Sequence, residues 1–275
     1  MIHAAARLRE LERRARRRFG QNFLVSEDAV ERIVAAAELA PGDRVLEIGP
    51  GLGVLTERMR EAGAEVSCVE LDRDLAEALG QLWPGLRLLQ ADAMKVDFPR
   101  FCEGTGWKVV ANLPYNVASP LVLRLLAHPG TFSRMTLMFQ REVAQRIRAG
   151  AGDSARGSLS VQVQARAEVR PVLELPPGAF HPAPKVHSSV LGFVLRAEPL
   201  TGGVDPRRFD AVVRAGFQHR RKTLVNSLRS AWERDIVLEA CRVAVVDPER
   251  RAETLDLDEW GRLAGALELH RTVSP

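Results

Sequence analysis

The feature that most constrains the fold is a regular alternation of short apolar strands with amphipathic helices, which begins at Val45. Strands are predicted at Val45–Ile48, Glu65–Glu70, Leu86–Gln90, Lys108–Asn112, Met135–Phe139 and Val186–Leu195, and helices at Val54–Ala62, Arg73–Leu82, Pro120–Ala127 and Glu142–Ala149. A helix capped by Ser26 precedes them. Such alternation predicts an α/β fold, a parallel sheet with helices on both faces. The segment Ser158–Val172 fits a strand or a helix equally well.

The composition changes after the last predicted strand. Pro199–Pro206 has the composition of a linker, and Arg207–Leu269 has helical periodicity with almost no strand signal. The chain has 275 residues, and domains of about 150 residues are common, so two domains are expected. We place an α/β domain at residues 1–199 and a small all-helical domain at residues 200–275.

Several classes of protein are excluded by composition. Hydrophobic residues make up 46% of the chain, which rules out a wholly disordered protein. Apolar runs stay short of the roughly 18 residues that a membrane span needs, and a signal-peptide core is absent from the sequence. Cys68, Cys102 and Cys241 are far apart and lack metal-ligand spacing, which indicates core thiols in a reducing compartment. We expect a cytoplasmic monomer that needs no metal and contacts no membrane.

The net charge of +4 is distributed unevenly along the chain. Residues 1–24 carry seven arginines against two glutamates, and residues 205–234 carry eight basic against three acidic residues. Each segment therefore exceeds the net charge of the whole chain, and the remainder is mildly acidic. Two basic segments around an acidic core are typical of a protein that binds RNA phosphates, although each is also compatible with a solvated helix face. The candidate RNA contacts are Arg16, Arg17, Arg18, Arg220, Arg221 and Lys222.

A glycine-rich turn, Glu47-Ile-Gly-Pro-Gly-Leu-Gly53, joins the first predicted strand of the alternation to its helix. Bare backbone at a helix N-terminus, here at Gly49 and Gly51, lets a ligand approach closely. Glu70 ends the next strand, where an acid can accept both ribose hydroxyls of a nucleoside cofactor, and Asp92 can reach an adenine amine. The loop is G-x-G-x-G preceded by an acid, which favours S-adenosylmethionine over a nicotinamide dinucleotide, whose loop is G-x-G-x-x-G.

The motif Asn112-Leu113-Pro114-Tyr115 follows a strand that ends at the expected active edge of the sheet. An exocyclic adenine amine is a poor nucleophile because its lone pair is delocalised into the ring. The Asn112 side-chain oxygen and the Leu113 carbonyl can accept its protons, Pro114 can hold the turn, and Tyr115 can stack on an unstacked base. Phe180 can cover the other face of that base, and the neighbouring His181 is not expected to act as a general base.

Five motifs together resemble one family. They are Phe19-Gly-Gln-Asn-Phe-Leu24, the Glu47–Gly53 loop, Asn112–Tyr115, Phe180-His-Pro-Ala-Pro-Lys-Val186 and Gln218-His-Arg-Arg-Lys-Thr-Leu-Val-Asn-Ser-Leu228. The chain is similar to the kasugamycin-resistance family of small-subunit (16S) ribosomal RNA adenine dimethyltransferases from about Arg17 to Leu267. The segment Cys241–Pro248 departs from the family by lacking an expected glycine-containing turn.

The resemblance implies a Rossmann-like methyltransferase sheet and dimethylation of two adjacent adenosines near the 3′ end of 16S ribosomal RNA, within an assembling small subunit. It implies S-adenosylmethionine contacts at Asn22, Leu24, Gly49, Glu70, Asp92 and Asn112. Two alternatives remain. One is the related erythromycin-resistance family, which methylates a large-subunit adenine, and Arg251–Leu255 together with Arg220–Leu224 disfavours it. The other is a non-catalytic RNA-binding assembly or transcription factor on the same scaffold.

Overall fold

The computed structural model describes residues 22–219 and 221–269, which divide into two compact units. The first contains the described residues up to Ala144 together with Val169–Leu195, and the second contains Gln145–Glu168 and the described residues from Arg196 onward. The second unit thus includes residues 145–168, which the sequence-based boundary at residue 199 assigns to the α/β domain.

The first unit is built on a seven-stranded sheet. Its strands are β2 (Arg44–Ile48), β3 (Glu65–Glu70), β4 (Arg87–Gln90), β5 (Trp107–Asn112), β6 (Phe132–Gln140), β7 (Ala167–Leu175) and β9 (Ser188–Leu195). They lie in the order β4-β3-β2-β5-β6-β9-β7. The strands from β4 to β6 pair in parallel, as the alternation predicts. The prediction of a parallel sheet is wrong for β9, which runs antiparallel to β6, so the sheet is mixed.

The helices that follow these strands have clear sequence causes. They are α1 (Glu27–Ala36), α2 (Val54–Glu61), α3 (Arg73–Leu82), α4 (Phe98–Phe101), α5 (Ala118–Leu126) and α6 (Arg141–Arg148). The Ser26 hydroxyl caps α1 by accepting a hydrogen bond from the amide of Ala29 at 3.3 Å, and Val30 and Ile33 are buried. Asp72 caps α3 in the same way. A two-stranded antiparallel sheet pairs β1 (Phe23–Leu24) with β8 (Phe180–His181).

The strand order places the glycine turn and the Asn112 motif side by side. From β2 the chain continues to β3 and β4 on one side of the sheet, and it then returns to β5 and β6 on the other. The strand order therefore reverses between β2 and β5. In open α/β sheets the crevice at such a reversal, outside the carboxyl ends of the strands, is where ligands bind. The fold itself puts a ligand site between residue 49 and residue 112.

The second unit has a helical core. Its helices are α7 (Ser158–Gln164), α8 (Pro206–Gly216), α9 (Leu224–Leu228), α10 (Arg234–Ala244) and α11 (Leu257–Leu269). Trp260 is completely buried and stacks on Phe217, with ring centroids 5.6 Å apart. Val161 and Ala165 belong to the same apolar cluster. Their burial explains why residues 158–164 form a helix within this unit, whereas the chain from Ala167 forms a strand of the sheet.

In the segment Cys241–Pro248, which lacks the expected glycine, a valine adopts the left-handed backbone conformation of the turn. Helix α10 ends at a cap residue, Val245, whose φ is +56°. This left-handed conformation is one that glycine adopts freely and a β-branched residue adopts at a cost. The turn after α10 is therefore made by a valine in a conformation that usually favours glycine.

Candidate active site

A cavity of about 410 Å³ opens at the carboxyl ends of the parallel strands. Its size lies within the ordinary range for small-molecule and cofactor sites. All seven residues predicted to bind the cofactor line it: Asn22, Leu24, Gly49, Gly51, Glu70, Asp92 and Asn112. These residues come from strand ends and loops separated by up to ninety positions in the chain, and the strand-order reversal brings them together.

The glycine turn packs too closely for larger residues. Gly51 has a φ of +57°, and a Cβ added there would lie 3.1 Å from the ring of Phe23. Gly53 has a φ of +79°, and a Cβ there would lie 2.6 Å from the ring of Trp83. These glycines give the turn its left-handed backbone and allow two aromatic rings to pack directly against it.

Two backbone amides fix the side chain of Glu70 in the wall of the cavity. Its side chain accepts hydrogen bonds from the Gly51 amide at 3.2 Å and from the Asp72 amide at 2.9 Å. The residue is only 4% exposed, and burial raises the pKa of its carboxyl. Each carboxylate oxygen has a further lone pair, so Glu70 can accept hydroxyl protons of a ligand while it holds the glycine turn.

The sequence-based set of site residues omits a second buried acid, Glu47. It lines the cavity, is 1% exposed and accepts hydrogen bonds from the Thr56 hydroxyl and, more weakly, from the Cys68 thiol at 3.9 Å. Burial raises the pKa of Glu47 to about 8, and the nearby carboxyl of Glu70 adds to the rise. The sequence does offer a sign of this role, because Glu47 is the one acidic residue in the otherwise apolar predicted strand Val45–Ile48.

The Asn112 side chain has a defined orientation. Its amide nitrogen donates a hydrogen bond to the backbone oxygen of Asn22 at 3.2 Å. Because the nitrogen is engaged in this way, the side-chain oxygen is the atom assigned to accept from a ligand. Asn112 ends β5 and lies in the cavity wall beside Pro114 and Tyr115. Leu113 is 1% exposed and is not among the residues that line the cavity, so the carbonyl role predicted for it stays a prediction.

Phe180 is not among the residues that line the cavity. It is 3% exposed and belongs to the apolar cluster that also contains Leu24 and Ala29. The reason is the pairing of β8 with β1, in which Phe180 lies opposite Leu24. The structure therefore brings Asn112, Pro114 and Tyr115 together at the cavity but leaves the predicted second stacking residue in the core.

Of the predicted RNA contacts, Arg221 and Lys222 are exposed on the segment between α8 and α9 of the second unit. Arg16, Arg17, Arg18 and Arg220 lie outside the described residues. Within residues 22–219 and 221–269, no cluster of three or more His, Cys, Asp or Glu side chains is arranged to hold a metal ion. Among the same residues, no helix combines the length and the apolar character that a membrane crossing requires.

The mixed sheet, the glycine turn with its acids and the Asn112–Tyr115 segment define an S-adenosylmethionine-dependent methyltransferase. The chain belongs to the ribosomal RNA adenine dimethylase family, which it matches over residues 12–268.

Three individual proteins show how far the similarity extends. A ribosomal RNA small subunit methyltransferase A from Syntrophotalea carbinolica is 46% identical over 94% of this chain and 99% of its own. The crystal structure of a dimethyladenosine transferase from Plasmodium falciparum matches with a TM-score of 0.74 and 26% identity over 88% of this chain and 95% of its own. The 23S rRNA methyltransferase ErmE matches with a TM-score of 0.68 and 29% identity over 90% of this chain and 100% of its own.

Proposed function

We propose that this protein dimethylates the exocyclic amines of two adjacent adenosines near the 3′ end of 16S ribosomal RNA, with S-adenosylmethionine as methyl donor. The observation that carries the proposal is that the Asn112–Tyr115 segment forms part of the same cavity wall as the glycine turn and Glu70. Residues that can bind an adenine amine thus lie next to residues that can bind a nucleoside cofactor. The high identity to a small-subunit methyltransferase supports the choice of RNA.

The methyl donor is held by the residues of the glycine turn and the strand ends around it. The Glu70 carboxylate accepts hydrogen bonds from the ribose hydroxyls, and the Asp92 carboxylate accepts one from the adenine amine. The backbone at Gly49 and Gly51 contacts the rest of the ligand. Asn22 and Leu24 close the cavity from β1 and the residue before it. S-adenosylmethionine, when bound, supplies a methyl group on a sulfonium leaving group.

The target adenosine is oriented by the Asn112–Tyr115 segment. The adenine amine donates hydrogen bonds to the Asn112 side-chain oxygen and the Leu113 carbonyl, which turns its nitrogen lone pair toward the cofactor side of the cavity. Tyr115 stacks on the adenine after the base has left the RNA helix. Because the leaving group is a good one, no general base is required, and the product proton leaves to water.

The two basic segments, residues 1–24 and 205–234, bind the RNA. Arg16, Arg17 and Arg18 in the N-terminal arm and Arg220, Arg221 and Lys222 in the helical unit contact phosphates, which assigns RNA binding to the second domain. The substrate is an assembling small subunit at a late stage, and the enzyme acts in the cytoplasm as a monomer that needs no metal. Deletion of residues 1–18 is expected to lower the slope of RNA affinity against salt, since each phosphate contact contributes about one unit to it.

The test uses methyl-labelled S-adenosylmethionine with ribosomal subunits from cells that lack the modification, followed by mapping of the labelled bases. We expect dimethyladenosine at two adjacent positions of the small-subunit RNA. Label on a large-subunit adenosine would instead assign the chain to the activity of ErmE, whose structure is similar. Tight RNA binding without label would indicate a non-catalytic assembly factor.

A further inference from the structure

We propose that Ser188 is a positioning residue for methyl transfer, which acts by anchoring the hydroxyl of Tyr115 and so fixing the ring that stacks on the target adenine. The inference rests on the proposed function, since it assigns a role in recognition of the same base. Ser188 lies seventy-three positions from Tyr115 in the chain, and the two hydroxyl oxygens are 2.6 Å apart.

The antiparallel strand β9 is what brings Ser188 to the site. Parallel strands present their carboxyl ends at the active edge of the sheet, and Asn112 and Tyr115 follow such an end. Because β9 runs in the opposite direction, it presents its first residue at the same edge, where Ser188 pairs with Gln140 at the end of β6. The antiparallel direction of β9 thus places the Ser188 hydroxyl at the edge of the sheet where the parallel strands end.

The two partners of this hydrogen bond differ in burial. Ser188 is fully buried at 0% exposure, whereas Tyr115 is half-buried and lines the cavity. A ring that borders a cavity can rotate about its side-chain bonds unless its far end is held. The bond to a buried strand residue holds that end, so the aromatic face is presented in one orientation before a base arrives. Positioning of reacting groups in advance is a general source of rate enhancement.

The neighbouring serine provides a matched control. Ser189 is also buried, at 2% exposure, but its hydroxyl donates to the Glu174 carboxylate at 2.7 Å. Successive residues of a strand point to opposite faces of the sheet, which is why two adjacent hydroxyls serve different partners. Ser188→Ala and Ser189→Ala each remove one buried hydroxyl from β9, but only the first releases Tyr115.

The first measurement is single-turnover methylation of small subunits, alongside calorimetric titration of S-adenosylmethionine. We expect Ser188→Ala to slow methyl transfer about 5- to 10-fold, the effect of one lost hydrogen bond, with donor affinity unchanged. Ser189→Ala should transfer methyl groups at the wild-type rate. Tyr115→Phe removes the same bond from the other side, so the double variant Tyr115→Phe/Ser188→Ala should be no slower than the slower single variant.

A second measurement is independent of activity. Tyr115 is the only tyrosine in the chain, so ¹³C-labelled tyrosine reports on this ring alone in an NMR spectrum. We expect Ser188→Ala to change the shift and line width of that signal, and Ser189→Ala to leave them unchanged.

The proposal would be overturned by a Ser188→Ala variant that transfers methyl groups like Ser189→Ala, by rate losses that multiply in the double variant, or by an unchanged tyrosine signal. If the wild-type protein itself fails to methylate small subunits, the proposed function is wrong, whereas the NMR comparison still decides whether Ser188 anchors the ring.

Discussion

The donor half and the base half of the cavity are built by different means. The donor half comprises Glu47, the turn Gly49–Gly53 and Glu70, and it is held by backbone amides and buried carboxyls from β2 and β3. The base half comprises Asn112–Tyr115, and it is held by contacts with distant segments, at Asn22 and at Ser188. These parts of the donor half lie close together in the chain, whereas the base half is held by residues ninety and seventy-three positions away.

Because the two halves are held by different contacts, damage to one half should be separable from damage to the other. Substitutions in the donor half should weaken donor binding or stability, and those in the base half should slow transfer with a smaller effect on donor affinity.

Asn112→Ala removes the side-chain acceptor for the adenine amine. We expect methyl transfer to fall by about 100-fold or more, the usual effect of losing one preorganised hydrogen-bonding group at a reacting centre. Donor affinity should fall much less, because Glu70 and the glycine turn remain. Single-turnover rates and calorimetric donor titration measure the two quantities. Near-normal transfer with undiminished RNA binding would remove Asn112 from the mechanism.

Glu70→Gln keeps the shape of the side chain but loses its charge. We expect donor affinity to fall about 10- to 100-fold, since hydrogen bonds to a charged group contribute about 1.5–3 kcal/mol. The matched control is Glu77→Gln on the exposed face of α3, which should bind the donor normally. Equal donor affinity in both variants would show that Glu70 only shapes the loop.

Glu47 makes the stability of the first unit depend on pH. Its folded-state pKa of about 8 lies above the model-compound value of 4.5, because the carboxyl is buried. The folded state therefore retains a proton that the unfolded chain releases. The free energy of unfolding is therefore highest, as far as Glu47 is concerned, below pH 4.5. It falls by up to about 1.4 kcal/mol per pH unit as the pH rises toward 8, and above that pH it levels off.

Glu47→Gln removes this titration. Denaturant unfolding across that pH range should give a flatter stability profile for the variant, with the greatest gain over wild type near pH 8. Parallel profiles for the two proteins would mean that Glu47 ionises without cost in the folded state.

Gly51→Ala tests the role of bare backbone in the donor half. A Cβ there meets Phe23 at 3.1 Å in a left-handed conformation, so we expect a loss of about 1–2 kcal/mol in the free energy of unfolding. Gly80→Ala is the control, because Gly80 lies within α3 with open space around its Cα, and alanine should stabilise that helix by about 1 kcal/mol. Equal changes in both variants would contradict a special requirement at residue 51.

Much of the first unit could be predicted from local pattern. The strand Glu65–Glu70 and the helix Arg73–Leu82 have the predicted bounds, and Ser26 caps its helix. These elements are defined by alternating apolar residues and by capping side chains, both of which act over a few residues. The same holds for the glycine turn, whose conformation depends on the missing side chains themselves.

Other features could not be predicted because they depend on distant partners. The residues from Ser158 to Val172 have a pattern that fits both strand and helix, and burial of Val161 in the helical core decides for helix at the start of the segment. The antiparallel direction of β9 depends on its pairing with β6. Phe180 has the residue type of a stacking group, but its pairing with Leu24 buries it.

The alternating α/β plan, the glycine turn with its acids and the Asn112–Tyr115 motif follow from the amino-acid sequence, because each is a short-range pattern of residue types. The three-dimensional fold was needed to show that the turn and the motif share one cavity, that the Asn112 amide bonds to Asn22, and that the hydroxyls of Ser188 and Tyr115 are hydrogen-bonded. Those relations join residues tens of positions apart. They arise from strand order and strand direction, which are set by the packing of the whole sheet and by no local segment.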